Sequence, residues 1–277
     1  MTETEKKAVG RYLDWHTGIL LETDGKMGIY RKESGKLIYK EKADSEDGYL
    51  GMYLFLMGKY LEKTESTDLS EYWKKGISLA LKKIQSLMQD GITQVSGENT
   101  TVYLMDNLEV WKGLYELEHA GLKDMPVVSE MRKKLQAQIE KLFWDDANQR
   151  WRIIENSDLY HQKEFYPDGV AQIYPLIYEF PVKEKKKQKI LYEQFTERFQ
   201  WQKLNKKRNG FLWAMAGMAA AQMGDINNLL EMIRNYEAEY CENRKYPLYT
   251  GEAGWICMEC EKLYSLYERK IKTGFLV

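Results

Sequence analysis

The chain has 277 residues, a formal net charge of −1, and 44% hydrophobic against 30% charged residues. That balance suits a globular protein with a substantial core, and it leaves no long-range field to favour nucleic acid or an anionic membrane. No run of about 18 apolar residues occurs, which excludes a transmembrane helix, and three cysteines cannot build a disulfide framework.

Five prolines and few β-branched runs point to helix along most of the chain. Met1 to Lys7 is polar and is no signal peptide. The location stays unassigned, with an extracytoplasmic one favoured if a leader has been removed. A first helix is predicted over 4–22. Met27 to Lys42 runs through Gly-Ile-Tyr-Arg, Glu-Ser-Gly and Leu-Ile-Tyr, which signals a β-hairpin. After Asp44-Ser45-Glu46-Asp47-Gly48-Tyr49, a helix over 46–63 carries Tyr49, Met52, Tyr53, Leu56, Met57 and Tyr60 at i, i+3, i+4 steps. Helix 68–89 follows. Tyr103-Leu104-Met105-Asp106-Asn107 opens helix 102–120, whose apolar face is Leu104, Leu108, Trp111, Leu114 and Tyr115.

Next comes helix 125–142, then a second hairpin from Trp144 to Ile154 with Asp145-Asp146-Ala147-Asn148 as its turn. Tyr166-Pro167-Asp168-Gly169 leads into helix 168–179, where Pro175 is expected to kink or shorten the helix. Helix 183–200 starts in a basic run, Lys183 to Lys189, expected to be a solvated face. Phe211 to Met223 is apolar nearly all round, so helix 210–223 should be buried on most sides. Helix 226–241 and, after Tyr249-Thr250-Gly251-Glu252, helix 252–269 complete the chain. Cys257 and Cys260 form a C-x-x-C within that last pattern. Without a second pair or a nearby histidine they are expected as small core residues at i and i+3, and no metal or other cofactor is implied.

The helices alternate in character. Those starting near 46, 102, 168, 210 and 252 are apolar and aromatic; those near 68, 125, 183 and 226 are rich in Lys and Glu with one apolar stripe. The first kind recurs at steps of about 56, 66, 42 and 42 residues, a period that suits helical hairpins. Inner helices ringed by outer ones make an α/α toroid, and the strongly apolar inner set favours closure over an open solenoid. The expected fold is therefore all-α, an (α/α)6-type toroid with short β-hairpins in its loops, forming one domain over 1–277. Ten helices are read where six hairpins need twelve, so one hairpin is trimmed or the cleft is more open.

In such a ring the first turns of the inner helices line one mouth. Glu46, Asp47, Asp106, Asp168 and Glu252 would stand there among aromatic rings. Singly, a carboxylate in a first turn is an ordinary cap or dipole partner. As a set they suit a pocket and glycoside chemistry, where one protonated acid serves the leaving oxygen and one ionised carboxylate activates water or attacks carbon. Tyr103, Trp111, Tyr166, Tyr174, Trp213 and Trp255 lie on or just before inner helices, where a ring is either core or a stacking platform. Arg208 and Asn209 precede an inner helix and are either cavity or solvated loop. His16, His119 and His161 share no motif, and His119 suits a helix-end role. No phosphate loop, zinc motif or nucleophile elbow is present.

Ser45-Glu46-Asp47-Gly48-Tyr49-Leu50-Gly51-Met52 resembles the S-E-G-x-x-Y-G-M stretch of family 8 glycoside hydrolases, six-hairpin toroid enzymes that act on β-linked glucans, xylans and chitosan. The resemblance implies that Glu46 is the general acid. Met105-Asp106-Asn107-Leu108 is similar in place to the family's T-D-x-D-L-x-x-A stretch, which implies that Asp106 holds the sugar. Asp47 stands where the first motif has glycine, Tyr49 comes one place early, and Met105 and Leu108 replace the threonine and the later aspartate of the second. No motif supplies the base, and Asp168 is assigned to it from position alone.

The reading is thus a monomeric glycoside hydrolase cleaving a β-linked oligo- or polysaccharide. Glu46, Asp106 and Asp168 are its catalytic set. Asp47, Tyr49, Tyr103, Trp111, Tyr166, Trp213, Glu252 and Trp255 are its substrate-binding residues. The alternatives are an inactive carbohydrate-binding relative, a helical scaffold, or a related toroid lyase or unsaturated-uronyl hydrolase.

Overall fold

The structure, a computed structural model, describes residues 1–66, 69–121, 126–157, 164–183, 185–204, 213–244 and 249–272. The class is all-α, with ten helices and three short antiparallel strand pairs among the described residues. The chain divides into two compact units, Met1–Trp144 with Arg152–Asp158, and Asp145–Trp151 with Leu159–Val277.

In the first unit, α1 (Glu3–Glu22) starts at a capping box in which Thr2 and Glu5 satisfy each other's backbone amides. The expected hairpin follows as β1 (Gly28–Glu33) and β2 (Lys36–Lys42), with Tyr30 opposite Tyr39 and a bulge at Ile29/Tyr30. Helices α2 (Glu46–Thr64), α3 (Glu71–Leu87), α4 (Leu104–His119) and α5 (Pro126–Phe143) build the rest. Between α3 and α4 lies a tight pair, β3 (Met88–Gln89) and β4 (Ile92–Thr93), where helix to 89 and then loop is predicted from the sequence. Asp90 and Gly91, both at positive φ, make its turn and stop the helix early.

The α2–α4 contact is backbone on backbone. A Cβ on Gly113 would stand 2.1 Å from the carbonyl oxygen of Gly51, one on Gly51 2.7 Å from Cα of Val110, and one on Gly58 2.6 Å from the carbonyl carbon of Glu116. Only glycine allows that approach. A buried ion pair reinforces it: Lys112 Nζ is 2.8 Å from Glu116 Oε1, and Lys59 of α2 is 2.9 Å from Glu116 Oε2. Leu54, Met57, Leu108, Trp111 and Leu114 pack the core around this seam. The entry to α4 is tied down too, because Leu104 N–H donates to Ile153 O and Glu155 N–H to Val102 O.

The second unit holds α6 (Val170–Ile177), α7 (Lys185–Phe199), α8 (Ala216–Met223), α9 (Ile226–Tyr236) and α10 (Thr250–Lys272). The remaining pair, β5 (Trp144–Asp145) and β6 (Arg150–Trp151), turns where Asp145 Oδ1 accepts the amides of Ala147 and Asn148. A single π turn, Phe165–Gly169, leads into α6, which keeps Pro175 inside and lasts only eight residues. Every residue from Val170 to Tyr178 is buried, as are Ala214 to Ala221, in line with the expected inner helices. The basic run at the start of α7 is largely exposed.

Two expectations are corrected at the chain's end. Ile256 and Glu259 are the buried residues among the described part of α10, so this helix is far less enclosed than α6 or α8. Cys257 and Cys260 face solvent rather than the core, because Ile256 and Glu259 occupy the inward stripe and each cysteine falls one place past it.

Candidate active site

The α2–α4 seam brings two first turns together. Ser45 caps α2, its hydroxyl accepting the Gly48 amide at 3.1 Å while donating to Asp47 Oδ1 at 2.9 Å. The Gly48 amide also reaches Asp47 Oδ1 at 2.9 Å. Asp47 is fully buried, and the Thr93 hydroxyl stands 2.6 Å from its Oδ2 and 2.8 Å from Asn107 Oδ1. Asn107 in turn accepts the Thr93 amide at 2.8 Å and donates to the carbonyls of Thr93 and Tyr103, at 3.0 and 2.9 Å. The short strand β4 thus locks α2 to α4 at their N-termini.

Asp106 lies in this group. Burial pushes its carboxyl up to about 8, with like charge from Asp47, Glu109 and Asp44 adding to the rise and a hydrogen bond with Ser45 opposing it. Asp47 is raised as well, chiefly by burial, but Thr93, Ser45 and the Gly48 amide all favour its charged form. At neutral pH Asp106 is therefore mostly protonated. Ser45, which donates to Asp47, also favours the charged form of Asp106, against the stronger effect of burial. Glu109 approaches from α4, where a Cβ on Gly48 would meet its Oε2 at 2.6 Å.

Glu46 stands at the edge of this group, half-buried, its amide donating to Val95 O at 2.8 Å. Its carboxylate is among the charges that act on Lys42, which pairs with Glu98 at 2.5 Å. Tyr49 is 38% exposed, and its hydroxyl is raised by burial and by Asp44, Glu109 and Tyr12. Tyr103 bridges to Ile154 through its backbone. Trp111 is 1% exposed and stacks on Tyr115 at 5.3 Å, so it is core and offers no open ring face. His119 sits in the last turn of α4 with its Nδ1 2.7 Å from Tyr115 O, in keeping with a helix-end role.

The other expected residues belong to the second unit. Asp168 is buried in the π turn before α6, where Gln172 Nε2 donates to its carbonyl oxygen at 3.2 Å. Gln172 also exchanges hydrogen bonds with the Trp151 backbone at 2.9 Å, and its own carbonyl accepts from Gln188. This glutamine pair fixes β6 on α6. Tyr166, 51% exposed, stacks on Trp213 at 5.0 Å and 28°. Glu252, expected in a first turn, is there, but it accepts the Ala214 amide at 2.6 Å rather than one of its own helix, and burial raises its carboxyl. Trp255 meets Tyr178 edge-on at 6.1 Å, and Tyr174 is buried. A cavity of about 500 Å3 opens beside Gly169 and Gln172, walled by Leu191, Phe195, Arg198 and Phe199. Arg208, Asn209 and His161 lie outside the described residues.

Sequence reasoning placed Glu46, Asp47 and Asp106 but missed Ser45, Thr93, Asn107 and Glu109. The S-E-D stretch carried a signal for Ser45 as an N-cap. Nothing local marked Thr93, which reaches Asp47 through tertiary packing. Among the described residues no group of three or more His, Cys, Asp or Glu is arranged to hold a metal ion.

No family model matches the chain, and no curated protein matches it in sequence. Among solved structures it aligns with a glycosidase variant at a TM-score of 0.59 and 13% identity, over 97% of this chain and 82% of that one. At that identity the likeness establishes a shared fold, and the all-α chain described above has the fold of a structure named as a glycosidase.

Proposed function

We propose that the chain is a glycoside hydrolase of a β-linked oligo- or polysaccharide, a single α/α-toroid domain over 1–277 that resembles family 8 glycoside hydrolases. The observation that carries the reading is the pair of acids at the α2 and α4 first turns, both raised by burial and Asp106 to about 8, in a chain with the fold of a structure named as a glycosidase. Carboxyl groups pushed apart in proton affinity by their surroundings are what acid–base cleavage of an acetal needs. In this proposal Glu46 protonates the leaving oxygen and neutral Asp106 holds the sugar by donating a hydrogen bond, while the base is assigned to Asp168 on its position in the sequence alone.

One observation favours a second assignment. Asp106 is the carboxyl raised to about 8, which suits the proton donor itself. Release of reducing ends from β-glucan, xylan and chitosan, read against pH, separates the two. If Glu46 is the donor, Glu46→Gln loses about 10²–10⁴ in kcat. If Asp106 is the donor, Asp106→Asn loses that much and the alkaline limb near pH 8 vanishes with it. Equal release by wild type and both variants would sink the acid–base reading. Binding without release would leave a carbohydrate-binding protein, and an unsaturated product end would mean a lyase.

A further inference from the structure

Beside the carboxyl group, the first unit leaves a row of aromatic rings half open. Tyr12 and Trp15 of α1 are 5.4 Å apart, Trp15 meets Tyr30 of β1 at 6.4 Å, and Tyr30 meets its cross-strand partner Tyr39 at 5.8 Å. The last two contacts are edge-to-face, at 83° and 75°, so in each of them one ring turns only its edge toward its neighbour. Tyr12 is 48% and Tyr39 51% exposed. The row is seated on His16, which touches Tyr12, Trp15 and Tyr53 within 6 Å. His16 is buried with neither ring nitrogen hydrogen-bonded, and Trp15 Nε1 is also buried without a partner. Burial holds His16 down to about 4, so the floor is uncharged at neutral pH.

One end of the row lies near the α2 first turn and the other near the end of β2. Tyr12 acts on Tyr49, which also feels Asp44 and Glu109. Tyr39 acts on Lys42, which also feels Glu46. A patch of half-open rings of this kind marks an interaction surface. Its rings are mostly tyrosines, with an apolar body and a polar tip, and carboxylates border it. That pattern suits a ligand with C–H faces and hydroxyl edges.

We propose that Tyr12, Trp15, Tyr30 and Tyr39 form a stacking platform for successive sugar rings of the substrate chain, so that the site prefers chains of several sugars to disaccharides. This rests on the hydrolase reading for the identity of the ligand, and its test is separable from that reading. Tryptophan fluorescence is followed while Glu46→Gln protein, and the same protein with Tyr12→Ala and Tyr39→Ala, are titrated with cello-, xylo- and chito-hexaose and the matching disaccharides. One hexaose is expected to bind about tenfold tighter than its disaccharide, and the double tyrosine change to remove that advantage. Circular dichroism and Trp15→Phe, which keeps a ring, guard against misfolding; the Phe variant retains the length preference.

The platform is overturned if no hexaose binds, if hexaose and disaccharide bind alike, or if the tyrosine changes leave the preference intact. Polymer cleavage with an unaltered preference in the Tyr12→Ala, Tyr39→Ala protein would overturn the platform and leave the hydrolase standing. Length-dependent binding with no cleavage by wild type would do the reverse. A concentration-dependent dimer that the tyrosine changes abolish, with no saccharide effect, would assign the row to self-association and overturn the proposal.

Discussion

Asp106 couples protonation to stability. Its carboxyl is raised to about 8, so between the ordinary carboxylate range and pH 8 the folded state keeps a proton that the unfolded chain has released. Stability therefore falls as pH rises through that window. Asp106→Asn should flatten this slope, read as the change in thermal midpoint from pH 5 to pH 8; an unchanged slope would place the proton elsewhere. Glu259 of α10 behaves in the same direction. It is fully buried against Gly217 and raised well above the usual range by burial, then by Glu252, and the Gly217 and Met218 amides oppose that rise without bonds of full geometry. Glu259→Gln should raise the thermal midpoint at pH 8 and leave it nearly unchanged at pH 5, because only the charged form is penalised. The sequence marked Asp106 through its place in a first turn. It did not mark Glu259, since one acid at an inward position of a helix looks like any other until the burial of its neighbours is known.

At the scale of elements, the seam between α2 and α4 decides whether the site exists. Gly113→Ala, whose Cβ would stand 2.1 Å from Gly51 O, should destabilise the fold by about 3 kcal/mol, read by urea unfolding. Destabilisation below about 0.5 kcal/mol would mean that the helices slide apart freely. The helices themselves were legible, because apolar residues three and four apart made nearly every one visible, and both predicted hairpins are present. The turn Met88–Thr93 was not legible. Its two-residue strands are too short for alternation to register, yet Thr93 on β4 ties Asp47 to Asn107. The α10 cysteines show a further limit. A helical stripe one residue out of phase moves a thiol from core to solvent, and Cys257 and Cys260 should react with a thiol reagent in the native protein without denaturant.

For the whole molecule, the all-α class followed from composition and periodicity, and the chain shares its fold with a glycosidase at 13% identity. So few shared residues mean that the arrangement of the helices carries the likeness. A difference in extent explains why the fold was easier to read than the site. Rhythm is spread over hundreds of residues, whereas the carboxyl group depends on a few contacts between segments far apart in sequence.

The glycine seam has a consequence for how this site can change. Side-chain packing ordinarily lets helices drift when residues are exchanged, but α2 and α4 touch through peptide groups, which have no rotamers to adjust. The spacing of the Asp47 and Asp106 turns is therefore set by main-chain geometry, from behind. Tyr12, Tyr39 and Tyr49 are exposed and take no part in that main-chain contact, so they can be replaced without loosening it. Exposed side chains can therefore vary while the spacing of the two acidic turns stays fixed.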